Sequence, residues 1–190
     1  MVHDATLLLL AGGRSRRMGR PKPLLPVQGT TLAEWIVRKL APGFPQVLVA
    51  APGEEGVPPE LHRYLVRDVH LGAGPLAGIE AGLAAASHPV MVAVACDMPR
   101  VTPALLRRLV DAIDGHDAAV PRVEGRPEPA CAAYASTAAG PIAAALGAGR
   151  YRAGDALDEL DVRWLDGEDP DQFANLNTPA DYQRFLDAVR

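Results

Sequence analysis

Two short runs, Thr6 to Leu10 and Val90 to Ala95, are apolar at almost every position. A strand with one face in water alternates apolar and polar residues, so a nearly unbroken apolar run marks a strand covered on both faces. Such runs alternate with helical patterns along the chain. That alternation predicts a single-domain, doubly wound α/β fold with a mostly parallel sheet. In such sheets ligands bind beyond the carboxyl ends of the strands, so the residues that follow each run are the first place to look for chemistry. The chain has 190 residues, of which 48% are hydrophobic. That is enough for one sizeable core, and no repeat or low-complexity linker divides it, so residues 1–190 are expected to form one domain.

The remaining elements follow from local signals. Strand 5–10 leads into a loop over 11–23, a helix over about 31–41 and a strand over 46–50. A loop with a short helix then covers 52–63, with a short strand near 64–67, a loop over 69–75 and a helix over 76–87. Strand 90–95, a helix over 103–113 and a strand over 117–121 come next. Thr102-Pro103 and Thr178-Pro179-Ala180-Asp181 each pair a hydroxyl cap with proline at the first helical position, which fixes two helix starts. Glu124-Gly125-Arg126 lies between two apolar stretches and predicts a hairpin that departs from the parallel pattern.

Composition excludes several classes of function. A net charge of −4 argues against nucleic acid held by bulk electrostatics. The first apolar run is far shorter than the roughly 18 residues that span a bilayer, so no membrane partner is expected and the location is expected to be cytoplasmic. Cys96 and Cys131 are the only cysteines and form no metal-type pair; Cys96 reads as a small buried hydrophobe. None of the five histidines has ligand spacing. Ser15 lacks the G-x-S-x-G elbow of a covalent hydrolase.

Leu10-Ala11-Gly12-Gly13-Arg14-Ser15-Arg16-Arg17-Met18-Gly19-Arg20-Pro21-Lys22 follows the first apolar run. Glycine lets backbone N–H groups turn toward an anion, and four arginines and a lysine share the same segment, which suits a nucleotide triphosphate. Lys22 is one of only two lysines in the chain, and its compact ammonium suits a specific contact. Walker and dinucleotide fingerprints are both absent, because two residues separate Gly19 from Lys22 and no G-x-G-x-x-G follows the strand.

The pattern L-A-G-G-x-S-x-R-M-G-x-x-K resembles the opening of the nucleotidyltransferases that attach a nucleotide to molybdopterin. Three further segments extend the resemblance, Cys96-Asp97-Met98-Pro99, Gly74-Pro75-Leu76-Ala77-Gly78 and Asn175-Leu176-Asn177-Thr178-Pro179, and together they point to the molybdenum cofactor guanylyltransferases. It implies a Rossmann-like nucleotidyltransferase fold, GTP and molybdopterin cofactor as substrates, Mg2+ as cofactor, and transient contact with proteins that insert the finished cofactor. Two features lean instead toward the CTP-dependent cytidylyl branch. These are the stretch Gly19 to Pro26, and Ala50, which stands where guanylyl enzymes present asparagine. A non-catalytic nucleotide-binding module is the rival of another class.

Residue by residue, Asp97 is expected at the mouth of the sheet with its carboxylate free, where it either caps the next turn or holds Mg2+; the resemblance implies the metal role. Catalysis is assigned to Asp97, Lys22 and Arg17, the two cations neutralising the triphosphate and the leaving pyrophosphate. The nucleotide is assigned to Leu10, Ala11, Gly12, Gly13, Lys22, Asp68, Pro75, Leu76, Gly78 and Asp97. By itself Asp68 reads as a loop aspartate paired with Arg67 or solvent, and 74–78 as a helix start; the resemblance gives them the nucleotide and its base. Asn175 and Asn177, at alternating positions of a strand-like segment, either share one polar ligand or form an Asx turn. The resemblance assigns them to the acceptor. Arg126, Arg150 and Arg152, which lie in segments between these motifs, are the candidate acceptor-phosphate contacts.

Overall fold

The computed structural model describes residues 4–12, 19–68, 70 and 74–189. Its strands are β1 (Ala5–Leu10), β2 (Pro26–Val27), β3 (Thr30–Thr31), β4 (Gln46–Ala51), β5 (Leu65–Arg67), β6 (Val90–Ala95), β7 (Ala118–Val123), β8 (Arg126–Pro127), β9 (Cys131–Ala135) and β10 (Val162–Leu165). The helices are α1 (Leu32–Leu40), α2 (Pro75–Ala85), α3 (Pro103–Ala112), α4 (Ala139–Gly147), α5 (Ala153–Leu157) and α6 (Pro179–Ala188). The main sheet runs in the order β10-β7-β9-β6-β1-β4-β5. β1 pairs in parallel with β4 and β6, β4 with β5, and β7 with β10; β9 alone is antiparallel to both its neighbours. The doubly wound, mostly parallel architecture expected from the apolar runs is therefore present.

The side-chain period of two in a strand splits the core into two layers. Leu7 and Leu9 of β1, Val49 and Ala51 of β4, and Val92 and Val94 of β6 face α1, α3 and α6. The alternate residues Leu8, Leu10, Leu48, Ala50, Met91 and Ala93 face α2, α4 and α5. Both faces of β1 are covered, which is why its sequence does not alternate. The helices on the first face carry their own start signals. Thr31 and Glu34 form a capping box on α1, Thr102 accepts from the Leu105 N–H, and Thr178 and Asp181 form a second capping box on α6.

The turn at Glu124-Gly125 joins β7 to β8, both residues having positive φ (50° and 77°), as a type I′ hairpin requires. The antiparallel departure expected here is thus present, though the main partner in the sheet is β9, the strand inserted between β6 and β7. Pro26 to Thr31 forms a smaller hairpin through Gln28 and Gly29, between the loop expected over 11–23 and the helix expected from about 31.

Gly82 lets α2 lie directly on the sheet. A Cβ there would come within 2.5 Å of Leu8 Cδ2 and 2.7 Å of Met91 Sδ, and both side chains are fully buried. Gly82→Ala is expected to lower stability, because overpacking of about 1–3 kcal/mol exceeds the helix-propensity gain of about 1 kcal/mol. Urea unfolding would register this as a lower midpoint at unchanged slope.

Candidate active site

A cleft of about 960 Å³ opens beyond the carboxyl ends of β1, β4, β5 and β6, within the usual range for a small-molecule site. Hydrogen bonds that continue the ladders past the strand ends hold its floor. Ala11 N–H donates to Ala50 O at 2.8 Å, Cys96 N–H to Leu10 O at 3.0 Å, and Asp68 N–H to Ala51 O at 3.3 Å. Leu10, Ala11, Gly12, Lys22, Asp68, Pro75, Gly78, Asp97 and Asn175 all line this cleft, so residues spread from position 10 to 175 converge on one place. Leu76 is buried in the core outside the lining. Arg17 and Gly13 lie outside the described residues.

The polar centre of the cleft is Lys22. Its ammonium donates to Asp97 Oδ2 at 2.8 Å and to Asn177 Oδ1 at 3.0 Å. The Asp97 carboxylate is therefore not free, as expected from its place after the strand, but ion-paired, because the chain after Pro21 folds a 3-10 turn (Lys22–Leu24) toward the end of β6. Asn177 reaches this centre because Leu176 N–H donates to Asp97 O at 2.9 Å, tying the segment before α6 to the turn after β6. That segment is not a strand. Asn177 N–H donates back to Asn175 O at 3.1 Å and also to Asp181 Oδ2, so the amides are set by a turn and by the helix cap rather than by alternation. Asn175 lines the cleft while Asn177 meets Lys22.

Asp68 lines the same cleft beside Gly12. Its Oδ1 is buried and finds no hydrogen-bond partner among the described residues, Arg67 included. Burial pushes its carboxyl above the usual aspartate range, an effect that the charge on His70 partly offsets. A carboxyl raised in the folded state stabilises the fold while it is protonated, and that contribution is lost as pH rises through its folded pKa. Asp68→Asn is accordingly expected to be more stable than the parent at neutral pH, with the difference vanishing below about pH 4. Partial exposure screens the gain to less than about 1 kcal/mol, readable as a Tm difference across a pH series.

Glu128, which the sequence did not single out, does not line the cleft, though its neighbour Ala130 does. It precedes a turn closed by Cys131 N–H on Glu128 O at 3.0 Å and braced by Tyr134 Oη on Pro129 O at 2.7 Å. Its carboxyl is pushed up first by burial and then by the negative charge of Asp97, so it shares the field of the polar centre. Only the antiparallel placement of β9 beside β6 brings it there.

The glycines serve packing as well as access. A Cβ at Gly78 would fall 2.8 Å from Leu10 Cδ2 and 3.2 Å from Ala50 Cβ, so α2 could not approach β1 and β4. At Gly12 a Cβ would meet Pro52 and Asp68 at ordinary distances of 3.6 and 3.7 Å. Arg126 is exposed on β8, Arg150 pairs with Glu159 at 2.9 Å, and Arg152 is exposed at the start of α5; none of the three lines the cleft.

Residues 7–166 match the family described as MobA-like NTP transferase domain. The chain belongs to that family. A probable molybdenum cofactor guanylyltransferase of Pelotomaculum thermopropionicum is 34% identical over 186 residues, 94% of this chain and 90% of the relative. A second protein of that name, from Carboxydothermus hydrogenoformans, is 31% identical over 97% of this chain and 96% of its own. Among solved structures, the molybdopterin-guanine dinucleotide biosynthesis protein A of Archaeoglobus fulgidus superposes with a TM-score of 0.82 at 30% identity, covering 97% of this chain and 98% of that one. The chain is thus a nucleotidyltransferase domain, and its Asn175–Asn177 segment lies beyond the matched residues. Among the described residues no helix is long and apolar enough to cross a membrane.

Proposed function

We propose that this MobA-like domain transfers GMP from GTP to the terminal phosphate of molybdopterin cofactor in a Mg2+-dependent reaction, releasing pyrophosphate. Support comes from the names of relatives matched over nearly their whole length. The observation that carries the chemistry is the Lys22 ammonium held between the Asp97 carboxylate and the Asn177 amide oxygen inside the cleft. A pair of hard oxygen donors around a cation suits Mg2+, which takes one or two protein ligands and fills its shell with waters and substrate phosphates.

An oxygen of the acceptor phosphate attacks the α-phosphorus, the new P–O bond forms, and the bond to the β-phosphate oxygen breaks with its electron pair leaving on pyrophosphate. The nucleophile is already anionic, so no strong general base is needed and catalysis rests on alignment and charge neutralisation. Gly12 leaves room for the nucleotide, with Arg17 and the Gly13 backbone assigned beside it from the sequence. Lys22 neutralises the triphosphate, Asp68 offers a carboxylate oxygen that has no partner among the described residues to a donor of the nucleoside, and Asn175 with Asn177 orients the acceptor. Asp97 and the Asn177 oxygen would hold Mg2+, which when bound supplies charge stabilisation to phosphate oxygens.

The test is turnover by the purified protein with each of the four nucleoside triphosphates and loaded molybdopterin. Pyrophosphate release with GTP and a guanine dinucleotide product are expected. A preference for CTP would make the enzyme a cytidylyltransferase, the reading that Ala50 in the cleft lining favours. Nucleotide binding without turnover would leave a non-catalytic module.

A further inference from the structure

Lys22 sits where a second cation would have to go. A Mg2+ ion on Asp97 Oδ2, at about 2.0–2.1 Å, would lie no more than about 5 Å from the ammonium that occupies the same oxygen at 2.8 Å. Both side chains are well covered, at 18% and 25% exposure, so solvent screens the repulsion between two such cations only in part. The second oxygen of the site is taken as well, because Asn177 Oδ1 accepts from the same nitrogen.

The lysine backbone is held by its own turn, and the side chain reaches the polar centre on a four-carbon stem. Leu25 N–H donates to Lys22 O at 3.0 Å and Leu24 N–H to Pro21 O at 3.1 Å, and Pro23 is buried. The four-carbon stem can pivot on this turn and move its point charge a few ångströms without disturbing the chain. A triphosphate in the cleft offers the ammonium several anionic oxygens in place of one carboxylate.

We propose that Lys22 is the resident cation of the nucleotide-free enzyme, closing the divalent-metal seat between Asp97 and Asn177 until the phosphates of a nucleotide draw the ammonium away. Metal and nucleotide then enter together, and the free protein is protected from divalent ions that lack their substrate. This rests on the assignment of Asp97 and Asn177 as metal-holding oxygens in the proposed function.

The experiment is Mn2+ binding by electron paramagnetic resonance on the full chain, with and without GTP. The nucleotide-free parent is expected to bind Mn2+ at least 10-fold more weakly than Lys22→Met, and adding Asp97→Asn to Lys22→Met should abolish the gain. Lys22→Gln, which keeps a polar side chain, should behave as Lys22→Met does, and thermal melts of each variant verify folding. Equal Mn2+ affinity in the nucleotide-free parent and in both folded Lys22 variants would overturn the exchange, while GTP-dependent Mn2+ binding that needs Asp97 would leave the metal assignment standing. Mn2+ binding that never depends on Asp97, with or without GTP, would overturn both.

Discussion

Asp97→Asn is expected to reduce kcat by about 10²-fold or more, the usual cost of removing a charge that stabilises transferring phosphates. The fold should survive, because an asparagine oxygen can still accept from Lys22 and the Asp97 backbone carbonyl still receives the Leu176 N–H. Pyrophosphate release at saturating Mg2+, alongside a thermal melt, separates the two effects. A variant with parental kcat would remove Asp97 from the chemistry. One that melted well below the parent would show the Lys22 pair to be structural.

Phe185→Ala should produce the largest loss of stability. The ring is 1% exposed and meets Trp35 of α1 edge-on, with centroids 5.3 Å apart. Truncating a buried phenylalanine costs about 3–5 kcal/mol, and a domain of this size loses roughly 2–4 °C of Tm per kcal/mol. α6 is also held by Leu186 and Val189 packed on the same core, by Tyr182 on Pro26 O and by a hydrogen bond from Gln28 to Val189 O, but Phe185 is its one buried side chain among the described residues. Loosening this helix should also release Asn177, whose N–H is bonded within the cap of α6. Nucleotide affinity is therefore expected to fall along with Tm. A variant that melts as the parent does would mean that Phe185 contributes little to docking α6.

The layers were legible because β1 and β6 are covered on both faces, and Thr102-Pro103 and Thr178-Pro179 marked two helices by capping chemistry alone. Between Ser136 and Phe173 the signal failed for physical reasons. α4 and α5 are rich in alanine and glycine, so apolar positions show little helical period, and β10 is only four residues long. β2 and β3 are shorter still, and their hairpin depends on positive φ at Gln28, a residue with no strong turn preference. In the site, the residue types of Lys22, Asp97 and Asn177 could be singled out from motifs, but their mutual contact could not. It depends on how three loops meet above the sheet. The same holds for Glu128, which no local pattern distinguishes from a solvated loop carboxylate.

The hydrogen bonds from Lys22 to Asp97 and to Asn177 span 75 and 155 positions of the chain. Contacts so distant in sequence form late, and domains made on the ribosome acquire order from the amino end first. A nascent chain can pair β5, β4, β1 and β6 as soon as residue 95 has emerged. It still lacks the amide that completes the cluster around Lys22. Vectorial synthesis thus produces the floor of the cleft well before the finished centre, which waits for the segment that leads into α6.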